Sequence, residues 1–254
     1  MAKRACVFVD GENFRHAIGD LFENFDRADY LPKKASWAEL FDYLVTQTAH
    51  AVTCSDIERV RTYWYVVAHV DFFPYKFPDA ERQTENLLRV LGKDRQLKDE
   101  LEALQGARRI ERMKQVVDDL RGRQTRMNNR FNGWVTLQNG IALRHPAIEF
   151  RRAGAIRYDL FTHSFGQEKA VDVKLAIDLL KLRDIYDIAV IVSGDQDYVP
   201  AVEVVKDLGK TVVNVAFETR GGKLLPGGAR RLNQITDNSL RIKYPDLSRY
   251  LFPA

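Results

Sequence analysis

Residues 187–217 read DIAVIVSGDQDYVPAVEVVKDLGKTVVNVAF. The stretch opens with one short apolar run, Asp187–Val192, and closes with another, Thr211–Phe217. Runs of this length, apolar throughout and bounded by charge, suit strands buried on both faces. Between them Tyr198–Leu208 has helical spacing and is ended by Gly209, which predicts a crossover helix. A strand, a helix and a second strand in this order form a parallel pair. Ser193-Gly194-Asp195-Gln196-Asp197 then falls at the carboxyl end of the first strand. That is the edge on which open α/β sheets bind ligands.

Working outward, the same alternation continues. Ala5–Val9 is a short apolar run, and Asn13 to about Phe25 follows with helical spacing at Phe14, Ala17, Ile18, Leu21 and Phe22. Trp37–Ala49 predicts a second helix, with Ser36 as N-cap and Glu39 completing a capping box. Val60–Val70, rich in aromatic and β-branched residues, predicts a central strand, and Ala147–Arg152 another. Ala170–Leu182 predicts a helix with Val171, Leu175, Leu179 and Leu182 on one face. Strands alternating with helices give an α/β fold with a parallel sheet covered on both faces.

Residues 80–127 differ in kind. Leu97, Leu101 and Leu104 make one stripe, and Ile110, Met113, Val117 and Leu120 a second beyond Gly106. This predicts an antiparallel helical hairpin inserted into a single domain spanning 1–254. Its stripes suit packing on that domain or a homodimer. Asn139-Gly140 fits either a β-hairpin turn or a helix ending near Gly140.

Asp10 stands directly after the first strand, in Val9-Asp10-Gly11-Glu12-Asn13. With Asp195 and Asp197, two remote segments thus bring three carboxylates to one sheet edge, and Asp172 at the start of its helix can face that edge too. Asp178 lies six residues further on and is rotated away. Carboxylates gathered in one cleft repel each other unless a cation neutralises them, and Mg2+ or Mn2+ is the hard partner for oxygen ligands. Taken singly, each acid also fits a cap or an Asx turn.

The set VDGEN (9–13), EKAVDVKLAID (168–178) and IVSGDQDYVPAV (191–202) resembles the NYN domain family of PIN-like nucleases. The resemblance runs from the first strand to about residue 217 and leaves the 80–127 arm outside. It implies a PIN-like three-layer α/β/α sandwich and a Mg2+-dependent ribonuclease, endonucleolytic by expectation. Asp10, Asp172, Asp195 and Asp197 match the family's acidic metal site, Asn13 its D-x-x-N asparagine, and Ser193 the polar residue opening the SGD turn. Glu12 and Asp178 sit in matching segments with no direct role carried over. Some domains of this kind act as RNA-binding or adaptor modules, the main alternative. A haloacid-dehalogenase-like phosphatase wants DxDx(T/V), against Asp10-Gly11-Glu12-Asn13 here, and a Toprim-like site wants glutamate where Asp10 stands.

Charge is consistent with an RNA partner. The formal net charge is +4 and the pI about 9.0. By segment the net is −3 over 1–80, +4 over 81–130, +3 over 131–157, −4 over 158–217 and +4 over 218–254. The acids therefore sit in acidic segments framed by basic ones, which suits a polyanion brought to a metal. Arg220-Gly221-Gly222-Lys223 and Gly227-Gly228-Ala229-Arg230-Arg231 form a glycine-rich basic loop able to approach phosphates. Arg151, Arg152 and Arg157 make a second cluster. The only cysteines, Cys6 and Cys54, lack metal-site spacing and suggest thiols in a reducing cytoplasm. The apolar run after Met1 is too short for a secretory signal, and no segment is expected to span a membrane.

Overall fold

Strand β1 (Lys3–Asp10) passes straight into helix α1 (Gly11–Leu21), and α2 (Trp37–Ala51) and β2 (Ile57–Phe73) follow. Next come α3 (Thr84–Leu91), α4 (Arg95–Ala103) and α5 (Gly106–Arg144), then β3 (Ile148–Asp159) and β4 (Ser164–Lys169). The chain closes with α6 (Val171–Lys181), β5 (Ile188–Val192), α7 (Val199–Asp207), β6 (Thr211–Glu218), β7 (Leu224–Leu225), α8 (Arg230–Ile235), β8 (Asn238–Lys243) and α9 (Tyr244–Leu251). This computed structural model describes residues 2–23, 25–26, 29–225 and 230–253. Contacts divide the chain into two units. One comprises Met1–Val67, Trp134–Ala153 and Ala170–Ala254, and the other Ala68–Gly133 and Gly154–Lys169.

In the first unit the strand order is β3-β2-β1-β5-β6-β7, with β8 on the far edge of β6. The deciding stretch folds as read: β5, α7 and β6, with the strands parallel and in register from Ile188↔Thr211 to Ile191↔Asn214. β1 lies between β2 and β5, parallel to both, and β8 is parallel to β6. Successive strand residues point to opposite faces, and β2 shows what covers each. Trp64 is fully buried against Trp37 and Phe41 of α2, with ring centroids 5.0 and 5.5 Å away. Tyr65, next in the strand, bonds Asp178 of α6 on the other side. Helices thus flank both faces of a mostly parallel sheet, in the α/β/α arrangement expected.

In the second unit, β3 pairs antiparallel with β4 from Ala155↔Lys169 to Asp159↔Ser164. Leu87, Leu91, Leu101, Met113, Val117 and Leu120 are buried, whereas Leu97, Leu104 and Ile110 of the arm's stripes are part-exposed. Arg123 caps this packing by donating to the Leu160 carbonyl at 3.0 Å.

Four local expectations change. The arm is not a two-helix hairpin but three helices, the last of which runs 39 residues. Asn139-Gly140 lies inside that helix, which continues to Arg144, because Met113, Leu120, Met127, Trp134 and Ile141 carry one buried stripe at seven-residue spacing straight through it. Ser36 does precede α2, but its side chain makes no cap bond, so the capping box does not form. The strand begun at Ala147–Arg152 extends to Asp159, and β4, β8 and α9 add elements not anticipated.

Candidate active site

Asp10 ends β1 and caps α1. Its Oδ1 accepts the backbone N–H of Asn13 at 3.1 Å, and its Oδ2 accepts the Asn13 side-chain amide at 2.7 Å. The D-x-x-N spacing is therefore a two-point clamp on one helix turn, with Asn13 donating both bonds. Gly11 between them is required: a Cβ there would stand 2.3 Å from the Tyr65 carbonyl oxygen.

Two donors from the other end of the sequence also reach Asp10 Oδ2. Ser193, just past β5, donates from Oγ at 3.0 Å, and the Tyr198 hydroxyl donates at 3.0 Å. Ser193 Oγ in turn accepts the Asp195 N–H at 3.0 Å, and Asp195 Oδ1 accepts the Asp197 N–H at 2.9 Å. Asp10 is only 1% exposed. Burial raises its pKa above the ordinary carboxylate value, and the donors from Asn13, Ser193 and Tyr198 oppose that rise.

Asp172 lies half-buried in the first turn of α6, which follows Ala170 in a left-handed conformation, φ 74°. α6 packs against β1, α7 and the short turn Gln196–Tyr198. The structure thus joins Asp10, Asn13, Ser193, Asp195 and Asp197 in one hydrogen-bonded run and sets Asp172 on a helix packed against the last turn of that run. It does not bring three carboxylates to coordinating distance. Among the described residues, no group of three His, Cys, Asp or Glu could hold a metal ion as it stands. By type the donors suit a hard divalent cation, since all are carboxylate oxygens. Asp10 Oδ2 already takes three donors and its Oδ1 one, so Asp10 is the most heavily hydrogen-bonded of the four carboxylates.

Asp178 has a different place. It is fully buried and accepts from Tyr65 at 3.2 Å, Arg151 at 2.5 Å and Lys174 at 3.0 Å. Burial works against its charge, but the Arg151 and Lys174 bonds outweigh that and hold its pKa below the usual value. Arg151 also lies 4.1 Å over the Tyr63 ring, while Arg152 bonds Gln138 and Asn139 at 3.0 and 2.8 Å. Arg157 lies 4.3 Å over Phe73. Arg151 therefore braces the fold, while Arg152 and Arg157 are exposed.

The basic loop is better placed. Thr219 N–H donates to the Lys223 carbonyl at 2.8 Å, and Gly222 closes the turn with φ 80°. Arg220 bonds the Tyr244 hydroxyl at 3.0 Å and stacks on that ring at 4.3 Å. Arg230 and Arg231 are exposed at the start of α8, which packs against α7 and the Gln196–Tyr198 turn beside Asp197. Gly227, Gly228 and Ala229 lie outside the described residues.

Sequence reading missed Tyr198 as a site residue. Its signal was present: a hydroxyl-bearing aromatic three residues after Asp195, at a helix start. Glu12 was also left without a role. It is 6% exposed and paired with Arg15 at 2.8 Å, and its Oε1 has no hydrogen-bond partner among the described residues.

The family pattern of the NYN domain matches residues 83–225. The chain belongs to the NYN domain family. NYN domains are part of the PIN-like nuclease superfamily, so at a coarse level this is a nuclease-type, RNA-related domain. The matched span holds Asp172, Ser193, Asp195 and Asp197 together with most of the arm, and leaves out Asp10 and Asn13. A crystal structure of a protein of unknown function from Vibrio parahaemolyticus is similar over 95% of this chain and 93% of its own, at 15% identity and a TM-score of 0.39. No protein of curated function matches this NYN domain. Among its described residues no helix is long and apolar enough to cross a membrane.

Proposed function

We propose that this NYN domain hydrolyses RNA phosphodiester bonds within the strand, using Mg2+ or Mn2+ held by Asp172, Asp195 and Asp197 beside Asp10. The observation that carries this reading is the Asp10–Ser193–Asp195 connection, which ties two strand ends separated by 183 residues in sequence into one polar site. A bound cation would supply positive charge that lets water ionise near neutral pH and offsets charge on the phosphate.

The chain's own residues do the rest. Asn13, Ser193 and Tyr198 fix both oxygens of Asp10, so Asp10 acts as a rigid anchor. Ser193 passes that order to the Asp195 backbone, and Asp195 to Asp197. Arg230 and Arg231 hold backbone phosphates next to the turn. Water displaces the 3′ oxygen and leaves 5′-phosphate and 3′-hydroxyl ends. The thiols Cys6 and Cys54, free of any disulfide, fit a reducing cytoplasm.

The test is labelled single-stranded and structured RNA incubated with Mg2+, Mn2+ or EDTA, beside Asp10→Asn and Asp195→Asn. Metal-dependent product from the wild type and none from the variants is expected. Undiminished cleavage by both folded variants would sink the reading. The spacing of the carboxylates favours one second reading, an RNA-binding module without turnover. It requires equal RNA binding in EDTA and no product under any condition.

A further inference from the structure

α1, the turn after β6 and α9 enclose a cavity of about 570 Å³. Part of its lining is aromatic: Phe22 contacts Tyr244 and Phe252 at centroid distances of 4.8 and 4.7 Å, and the Arg220 guanidinium lies over Tyr244 at 4.3 Å. Asp20 and Glu23 also line the cavity, both exposed. An adjoining cavity of about 540 Å³ shares Asp20, Glu23 and Thr219 and adds Lys223. Aromatic rings, two carboxylates and Arg220 thus line one recess, and Lys223 lines the cavity beside it.

Aromatic faces and a guanidinium plane stack unpaired bases. A carboxylate only accepts hydrogen bonds, so it selects a base edge that presents donors together. Guanine offers adjacent N1–H and N2–H groups. Adenine and cytosine each place a ring-nitrogen acceptor beside their single amino group, which would face the carboxylate unfavourably. Arg220 and Lys223 supply the charge for the attached phosphate. The recess opens at the carboxyl end of β6, two strand positions from β1, and Asp20 on its wall lies ten residues along α1 from Asp10, or about 15 Å.

We infer that this recess is a guanine-nucleotide subsite, with Glu23 reading the base edge and Phe252 forming its stacking wall. As a subsite for one base of the cleaved strand it rests on the hydrolytic reading, but binding of the free nucleotide does not.

The experiment is titration calorimetry of the full chain in EDTA with GMP, AMP, CMP and IMP. GMP is expected to bind at least tenfold more tightly than AMP or CMP, with IMP, which lacks the 2-amino group, in between. Glu23→Gln should remove the preference for GMP, and Phe252→Ala, at a position 41% exposed, should weaken GMP, AMP and CMP alike. Equal affinity for GMP, AMP and CMP, or GMP binding untouched by both variants, would overturn the assignment. RNA cleavage is scored separately. Selective GMP binding without cleavage keeps the subsite and removes the hydrolytic reading, and cleavage without GMP selectivity does the reverse.

Discussion

Ser193 Oγ stands 3.0 Å from Asp10 Oδ2 and donates to it, linking the ends of adjacent strands β5 and β1. The same oxygen accepts the Asp195 N–H, so one hydroxyl positions both the buried anchor and the turn that carries the open carboxylates. Ser193→Ala removes the link but no carboxylate. The expected result is a loss of about 1–3 kcal/mol in urea unfolding, for weakened satisfaction of a buried group, and a cleavage rate lower by on the order of 10–100-fold, as for groups that orient metal ligands. Wild-type cleavage by the folded variant would show that Asp10 and Asp195 do not depend on this bond. Tyr198→Phe tests the second donor and should give a smaller loss of the same kind.

The Asp178 network predicts a stability change without a role in chemistry. Asp178→Asn leaves the half-buried Arg151 facing a neutral partner, and breaking such a pair costs about 3–5 kcal/mol. The pH dependence has a definite sign. The native carboxyl is held below its ordinary value of 3.8, so its contribution is complete above that value and is lost as pH falls through the lower native pKa. Thermal unfolding should therefore show a wide gap between wild type and Asp178→Asn at pH 7 that narrows below about pH 4. A gap constant with pH would contradict the assignment.

Two glycines should respond in opposite directions. Gly11→Ala puts a methyl 2.3 Å from the Tyr65 carbonyl oxygen and 2.9 Å from Val66 Cγ1. Overpacking of this kind costs about 3 kcal/mol, read as a lower denaturation midpoint. Gly140→Ala, in the helix interior with nothing within 4 Å of the added Cβ, should stabilise by about 0.5–1 kcal/mol.

If Arg230 and Arg231 hold phosphates, RNA affinity falls steeply with salt. Each arginine replaced by alanine should lower the slope of log K against log salt by about 0.7 on single strands. A filter-binding series across salt concentrations checks this, and a slope unchanged in the double variant counts against the basic loop.

The centre of the sheet was legible in the sequence because β1, β5 and β6 are short, mainly apolar runs with helices between them, whereas β8, NSLRIK, carries no such run. The acids were legible for a related reason: Asp10 and Asp195 each follow such a run directly, which places them on one edge before any contact is known. What escaped depended on partners distant in sequence or on a competing signal. Tyr198 looks like part of a helix start until Asp10, 188 residues away, is placed beside it. Asn139-Gly140 carries a strong local turn preference, but the buried stripe from Met113 to Ile141 overrides it, since burial along a long helix outweighs about 1 kcal/mol of glycine propensity. The Arg151 cluster illustrates a third limit: composition counts its charge, but only packing reveals that Asp178 already uses it.

The placement of β1 between β2 and β5 bears on how the chain is made. β2 follows β1 closely in sequence, but β5 begins only at Ile188. At about 5–20 residues per second, the ribosome needs roughly 10–35 s after β1 to produce its second neighbour. Through that interval a strand with an apolar centre, Ala5–Val9, presents an open edge, the state most prone to pairing with the wrong chain. The inner strand of the finished sheet is thus the vulnerable one in the nascent protein. Fragments ending before residue 188 should precipitate where the complete chain does not.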